Sequence, residues 1–223
     1  MTPAVRALVT GGTGKLGSAI RQSLERAGWS VLAAGRADGD VSRPDEARAL
    51  VARAVSDLGG LDLVVNGASA GFVPKDVADV TEADWDAAFG ATAKGSFFVS
   101  QAAAPHLRAA RGLVVMLEDV AAYEPWPSFA PHAAAKAAQA MLTRVLARAL
   151  APDVRVCGIA PGAVAVDPDQ EGRRAAETLL GRVGSPDDVA EAVLYLARAD
   201  YVTGATIVID GGRLLQTRRP TEA

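Results

Sequence analysis

Two side chains in Pro131-His132-Ala133-Ala134-Ala135-Lys136 could carry acid–base chemistry. Histidine titrates near neutral pH, with an ordinary pKa of about 6.5, and serves as general acid or base. Lysine adds a cation. The two are four residues apart, so on a helix they share one face. A second constellation lies near the start of the chain, Thr10-Gly11-Gly12-Thr13-Gly14-Lys15-Leu16-Gly17. Glycines let a backbone approach a ligand closely. A helix that opens straight after a strand offers free N–H groups and a positive dipole end, which suits a dinucleotide pyrophosphate. The same text also suits a tight strand-to-helix turn with no ligand. Two histidines and one cysteine, far apart, offer no metal-ligand spacing. His106, in mid-helix, reads as a residue facing solvent or an interface.

These groups need a scaffold. Short apolar runs over 5–9, 30–34, 61–66, 113–117, 154–159 and 205–209 read as strands. Helical patterns fill the intervals: 15–27, 44–58, 81–111, 131–150 and 186–199. Gly28 and Gly59-Gly60 stop the first two. Thr81 to Asp84 opens the third as a capping box, with Asp in the Glu position. Pro131 sits near the first turn of the fourth, and Ser185 caps the fifth. Strands apolar throughout belong in a sheet covered on both faces, with helical crossovers between parallel strands. The alternation predicts an α/β, Rossmann-type, doubly wound parallel sheet with helices on both faces. The reading is one domain over 1–215 and a loose polar tail over 216–223.

Composition narrows the class. The 223 residues carry a net charge of −3 with 22% charged residues, and no long run of one sign. Binding to nucleic acid through bulk charge is excluded. The lone Cys157 cannot form an internal disulfide, which fits a reducing, cytoplasmic setting. No apolar run reaches the roughly 18 residues of a membrane helix. The N-terminal text lacks the basic and apolar regions of a signal peptide.

The segment 10–17, TGGTGKLG, resembles the TGxxxGxG signature of the short-chain dehydrogenase/reductase family, with Lys15 in place of the middle glycine. More of that pattern follows in order. Residues 64–69, VVNGAS, are similar to the family's VNNAG segment. Residues 97–105, FFVSQAAAP, resemble the helix text of its pteridine-reductase branch, which also carries a basic residue at the Lys15 place. Pro161-Gly162 matches the family's PG, and Val202-Thr203-Gly204 with Asp210-Gly211-Gly212 match its VTG and DGG. The resemblance covers 5–213. It implies a nicotinamide cofactor cradled by Thr10, Gly11, Thr13, Lys15, Leu16 and Gly17. Asn66 and Ala68 would stand beside the adenosine and the sheet edge, and Pro161-Gly162 beside the nicotinamide. Asp40-Val41 resembles the pair that contacts adenine. Only three residues separate Arg36 from Asp40, so the family's extra helix and strand after the second strand are mostly missing. An acidic residue at position 36 would bind a ribose 2′-hydroxyl, whereas an Arg favours a 2′-phosphate. Arg36 and Lys15 thus point to NADPH/NADP over NAD.

The resemblance implies four catalytic groups: a Tyr proton donor, a Lys four residues on that binds the nicotinamide ribose, a Ser or Asp that orients substrate, and a supporting Asn. Lys136 and Asp119 match two of them. His132 stands at the Tyr position and Thr92 at the Asn position. Imidazole is shorter than a phenol, and the Lys136 cation opposes a protonated ring. Asp119 could offset this by favouring imidazolium, or could itself donate when protonated, and a water could bridge the gap. Tyr123 could swing inward as a substitute donor, or line the substrate mouth with Trp126, Phe129 and Ser69. The segment 163–171 reads as a short acidic lid. The implied activity is hydride transfer to a C=N or C=O of a flat heterocycle or small carbonyl compound. The alternative is an NADP(H)-binding sensor or partner subunit without turnover. Family members are commonly homotetramers, and Ala-rich faces over 101–110 and 133–150 would suit a tetramer or dimer.

Overall fold

A computed structural model describes residues 5–71 and 73–216. Six strands form one sheet: β1 (Arg6–Thr10), β2 (Ser30–Ala34), β3 (Leu63–Asn66), β4 (Leu113–Leu117), β5 (Arg155–Pro161) and β6 (Thr206–Ile209). The spatial order is β2-β1-β3-β4-β5-β6 and every neighbouring pair is parallel. Helices α1 (Lys15–Arg26), α2 (Pro44–Leu58), α3 (Glu82–Phe89), α4 (Gly95–Ala110), α5 (Ala130–Leu150), α6 (Glu171–Ala176) and α7 (Pro186–Arg198) make the connections.

Successive strand residues point to opposite faces, and the sheet buries both. Leu8, Val64, Val114, Met116 and Val156 pack beneath α2 and α4. Ala7, Val9, Val65, Val115 and Ile159 pack beneath α1 and α7, against Ile20, Leu24, Val189 and Val193. This two-sided burial explains why the strands read as unbroken apolar runs. The predicted architecture is therefore observed, including the shortening after β2. Residues 36–38 make a single 3-10 turn where a further unit would stand, and β2 is left as the sheet edge.

Two elements depart from the sequence reading. The helix expected over 81–111 is interrupted by a π-turn at Gly90–Lys94. A Cβ at Gly95 would meet the Val41 side chain at 2.8 Å. The helix thus passes very close to the 41–42 loop there. Apolar periodicity does not register an extra residue in one turn. Helix α6 begins at Glu171, where the expected lid ends, and was not anticipated, since six residues are too few to show a period. The caps were legible. Thr81 and Asp84 form their reciprocal box, as do Ser185 and Asp188. Gln216 Nε2 donates to the Ala176 carbonyl, and the rest of the predicted tail lies outside the described residues.

The chain leaves β1 toward β2 on one side and later returns to β3 on the other. A crevice opens at that switch, beyond the carboxyl ends of the strands. The glycine turn occupies it. Gly11 has φ +67, and a Cβ there would overlap the Gly67 carbonyl. Gly17, buried in the first turn of α1, has no room either: a Cβ would overlap the Gly11 carbonyl and lie 2.7 Å from Gly12 Cα. Gly17→Ala is expected to cost about 1–3 kcal/mol through overpacking, read as a lower urea midpoint with an unchanged slope. Wild-type stability in that variant would show the turn to be loosely packed.

Candidate functional site

Two clefts adjoin along the carboxyl edge of the sheet. The first, about 370 Å³, runs from the glycine turn to the end of β2 and the 40–42 loop. Its walls include Thr10, Gly11, Thr13, Arg36, Asp40, Val41, Ala68 and Ser69. Thr10 ties the cleft together. Its Oγ1 accepts from the backbone N–H of Gly67 and Ala68 and donates to the Val65 carbonyl. Val41 is buried in the wall. Arg36 lies in the open, 3.7 Å from Asp40 Oδ2. Asp40 Oδ1 accepts from the Ser42 N–H at 3.0 Å. Bonds from Ser42 and the Arg36 charge hold the Asp40 carboxyl below its ordinary pKa.

The second cleft, about 510 Å³, starts at Lys15, Leu16 and Gly17 and ends under the 163–170 segment. Asp119, His132, Lys136, Pro161, Gly162 and Trp126 line it, and Ser69 lines both clefts. His132 and Lys136 share one face of α5, as their spacing requires. Asp119 follows β4. Its Oδ1 accepts from the Ala121 N–H at 2.8 Å, and its Oδ2 lies 3.4 Å from His132 Nε2. Trp126 stacks near-parallel on the His132 ring, with centroids 6.4 Å apart. The Arg213 guanidinium covers Trp126 at 5.2 Å and is itself held by Glu124 and Glu177. The imidazole plane is thus set from two sides.

Lys136 is buried. Its Nζ donates to the Leu117 carbonyl at 2.5 Å and to Gln139 Oε1 at 3.2 Å. Burial pulls its pKa down to about 8, while the Asp119 and Glu118 charges resist that fall.

The structure settles three placements that the sequence left open or read differently. Asn66 does not line either cleft. Its side chain turns under the sheet, where Nδ2 donates to Ser100 Oγ at 2.9 Å, because even positions of β3 face α4. Lys15 and Arg36 do not converge on one spot. Lys15 reaches across to the Ala165 carbonyl at 3.1 Å and to Asp167 at 3.2 Å, since the acidic lid is the nearest negative charge. Tyr123 is not turned inward: its OH donates to Glu118 Oε2 at 2.9 Å and its ring is exposed. Thr92 lies in the π-turn, with Oγ1 3.3 Å from Ser69 Oγ.

Sequence reasoning missed Glu118. Only 3% exposed, it accepts hydroxyl bonds from Thr143 at 2.6 Å, Thr206 at 3.2 Å and Tyr123. Gly158 makes its space, for a Cβ there would overlap the carboxylate. Beside the more conspicuous Asp119, it carried no separate signal. Arg213 and Gln139 were missed as well. Among the described residues no group of three or more His, Cys, Asp or Glu is placed to hold a metal ion. No described helix is long and apolar enough to cross a membrane.

A parallel sheet with a glycine turn at its switch point and titratable groups just beyond is the layout of a dinucleotide-dependent α/β enzyme. Comparison with known proteins makes this specific. The family model described as Enoyl-(Acyl carrier protein) reductase matches residues 10–213. A granaticin polyketide synthase putative ketoacyl reductase 2 from Streptomyces violaceoruber is 35% identical, over 92% of this chain and 94% of its own. A 3beta-hydroxysteroid dehydrogenase 1 from Eggerthella lenta is 34% identical, over 93% of each chain. The structure of a 3-ketoacyl-(acyl-carrier-protein) reductase from Brucella melitensis complexed with NADH superposes with a TM-score of 0.87 at 25% identity, covering 94% of this chain and 98% of the other. The chain belongs to the short-chain dehydrogenase/reductase family, whose members are oxidoreductases that typically bind a nicotinamide cofactor. The site fits such a cofactor. Helix α1 opens at Gly14 with no side chain capping its first N–H groups, and the cleft lined by Thr10, Gly11, Thr13 and Gly14 lies at that end.

The depressed Lys136 pKa has a consequence for stability. An unfolded lysine titrates near 10.4, so between pH 8 and that value the unfolded chain binds more protons. Folding stability contributed by this group must therefore rise with pH across that window. Measured against Lys136→Met, the wild type is expected to gain on the order of 3 kcal/mol in urea-unfolding free energy between pH 8 and 10.5. A flat difference would mean that Lys136 keeps an ordinary pKa.

Proposed function

We propose that this chain is an NADP(H)-dependent reductase that adds hydride to a C=O or C=N of a small carbonyl compound or pteridine-like flat heterocycle. The observation that carries the reading is the Asp119–His132–Lys136 cluster, facing one cleft with the glycine turn at its far end. The cofactor, when bound, supplies the hydride. Thr10, Gly11, Thr13, Leu16 and Gly17 receive its pyrophosphate side, and Pro161 and Gly162 its nicotinamide side. Arg36 lines the first cleft with Asp40 and Val41 and is the cation assigned here to the 2′-phosphate. An Arg forms strong, charge-assisted bonds to phosphate. The relatives' names, a ketoacyl reductase and a hydroxysteroid dehydrogenase, support the carbonyl arm of the proposal.

Lys136 offers its remaining N–H to the ribose. His132 takes the position of the family's tyrosine, and it holds the transferable proton at the Nε2–Asp119 Oδ2 contact. Asp119 orients the ring. Trp126 and Phe129, edge to face at 6.0 Å, form an apolar wall for the substrate. Lys15 bonds to the Ala165 carbonyl and to Asp167 and so ties the lid segment to the glycine turn. The proposal extends to a cytoplasmic protein assembled as a homotetramer or dimer. Met141 and Val145, exposed one turn apart on α5, support a contact between copies there.

The first test is NADPH oxidation with small diketones and dihydropterins by the wild type, His132→Tyr and Asp119→Asn. The wild type is expected to turn over. Asp119→Asn should lose about 10²-fold in kcat or more, the range for removal of acid–base assistance. A silent wild type beside an active His132→Tyr would favour a nucleotide-binding protein that has lost its donor. A second test addresses cofactor choice. Arg36→Ala is expected to weaken NADPH binding about 10-fold or more while leaving NADH unchanged, as loss of a charged hydrogen bond implies. Equal weakening of both would remove Arg36 from the 2′-phosphate.

A further inference from the structure

Lys136 is joined to the α3–α4 helix by side chains that the proposed reaction does not use. Gln139, one turn farther along α5, is completely buried. Its Oε1 accepts from Lys136 Nζ at 3.2 Å, and its Nε2 donates to Ser96 Oγ at 2.7 Å. Ser96 Oγ donates onward to the Thr92 carbonyl at 2.6 Å. Thr92 lies in the π-turn and meets Ser69, which lines both clefts.

Two features argue that this chain serves the lysine and is more than packing. A buried amide is costly unless it is hydrogen-bonded, and Leu or Met would fill similar space without that demand. The donors also all point one way, from Lys136 to Gln139 to Ser96 to a carbonyl. The series ends on an acceptor that has no proton to return. An ammonium has three N–H bonds. The Leu117 carbonyl takes one and Gln139 a second, and Lys136 lines the cleft.

We infer that Gln139 is a positioning residue: with the Leu117 carbonyl it fixes the Lys136 ammonium, leaving its third N–H for a ligand in the cleft. The inference rests on the proposed reading only in taking that ligand to be a nicotinamide cofactor. The charged and titratable groups around Lys136 are Glu118 and Asp119 after β4, His132 on α5, and Tyr123 behind Glu118. From α4 and the π-turn the facing groups are the uncharged Ser96 and Thr92. Gln139 is thus the neutral partner through which that side of the protein holds the lysine.

The test reads Lys136 directly. The chain has four lysines, Lys15, Lys75, Lys94 and Lys136. NMR of protein labelled with 13C at lysine Cε can therefore follow each titration, and Lys136→Met assigns the signal. Gln139→Leu removes the acceptor and is expected to lower the Lys136 midpoint by about one pH unit, the scale of a hydrogen bond to a charged group. Gln139→Glu keeps an acceptor and adds negative charge, so it should move the midpoint upward. Ser96→Ala frees the outer end of the amide without touching Lys136. It should shift the midpoint in the Leu direction by less, and it keeps the test open if Gln139→Glu does not fold. NADPH and NADH binding, followed by coenzyme fluorescence, should weaken about 10-fold in Gln139→Leu at pH 7. Unmoved midpoints in the folded variants would overturn the inference, as would shifts of the same sign in Leu and Glu. Shifted midpoints in a wild type that binds neither coenzyme would sink the cofactor reading and leave the role of Gln139 intact.

Discussion

A buried ammonium organises this molecule. Removing a lysine from water costs several kcal/mol unless the protein returns hydrogen bonds and opposite charge. Lys136 receives both from elements far apart in the chain. The end of β4 supplies the Leu117 carbonyl and the charges of Glu118 and Asp119, and α5 supplies Gln139. Satisfying one cation therefore docks α5 against the end of β4 and, through Ser96, against α4. The desolvation that pulls its pKa down is the same condition that makes its contacts strong.

Glu118 extends this polar core to the far edge of the sheet. Its carboxylate gathers hydroxyl groups from α5, β6 and the segment after β4, and the bare backbone of Gly158 in β5 makes the room. A buried carboxylate with three donors is tolerable, and with one donor missing it is costly. The polar groups beneath the cleft thus specify one arrangement of β4, β5, β6 and α5, whereas the two apolar layers would tolerate exchange of one hydrophobe for another.

The glycine turn sets the other end of the site. Its backbone runs so close to the 67–68 loop and to the start of α1 that side chains are excluded on both sides. The opening that remains lies at the switch of strand order, and the adjoining cleft runs from it to Asp119, His132 and Lys136. Lys15 and Asp167 connect the two ends by drawing the segment after β5 over the turn. The missing unit after β2 leaves Arg36 and Asp40 on a short turn at the sheet edge, where the arginine stands in solvent.

Much of this was legible from residue order alone. Periodicity located every strand, since burial on both faces leaves no polar positions to blur the pattern. The caps at Thr81 and Ser185 and the stop at Gly59 were readable because each depends on neighbours within four residues. The shared face of His132 and Lys136 followed from helix geometry. What stayed hidden depends on distant partners. Glu118 meets Thr206 across 88 residues, Gln139 meets Ser96 across 43, and Lys15 meets Asp167 across 152. Nothing local distinguishes a carboxylate held by three hydroxyls from one in solvent, or a buried glutamine from a surface one. The inward turn of Asn66 and the outward turn of Tyr123 belong to the same class, because a side chain's direction follows from what the fold places opposite it. Residue order alone was enough for the strands, for most of the helical stretches, for the glycine turn and for the spacing of His132 and Lys136, all of which are encoded within a few residues. Which polar groups face each other is set by the assembled fold, because desolvation makes those pairings obligatory only after the sheet and helices have closed around them.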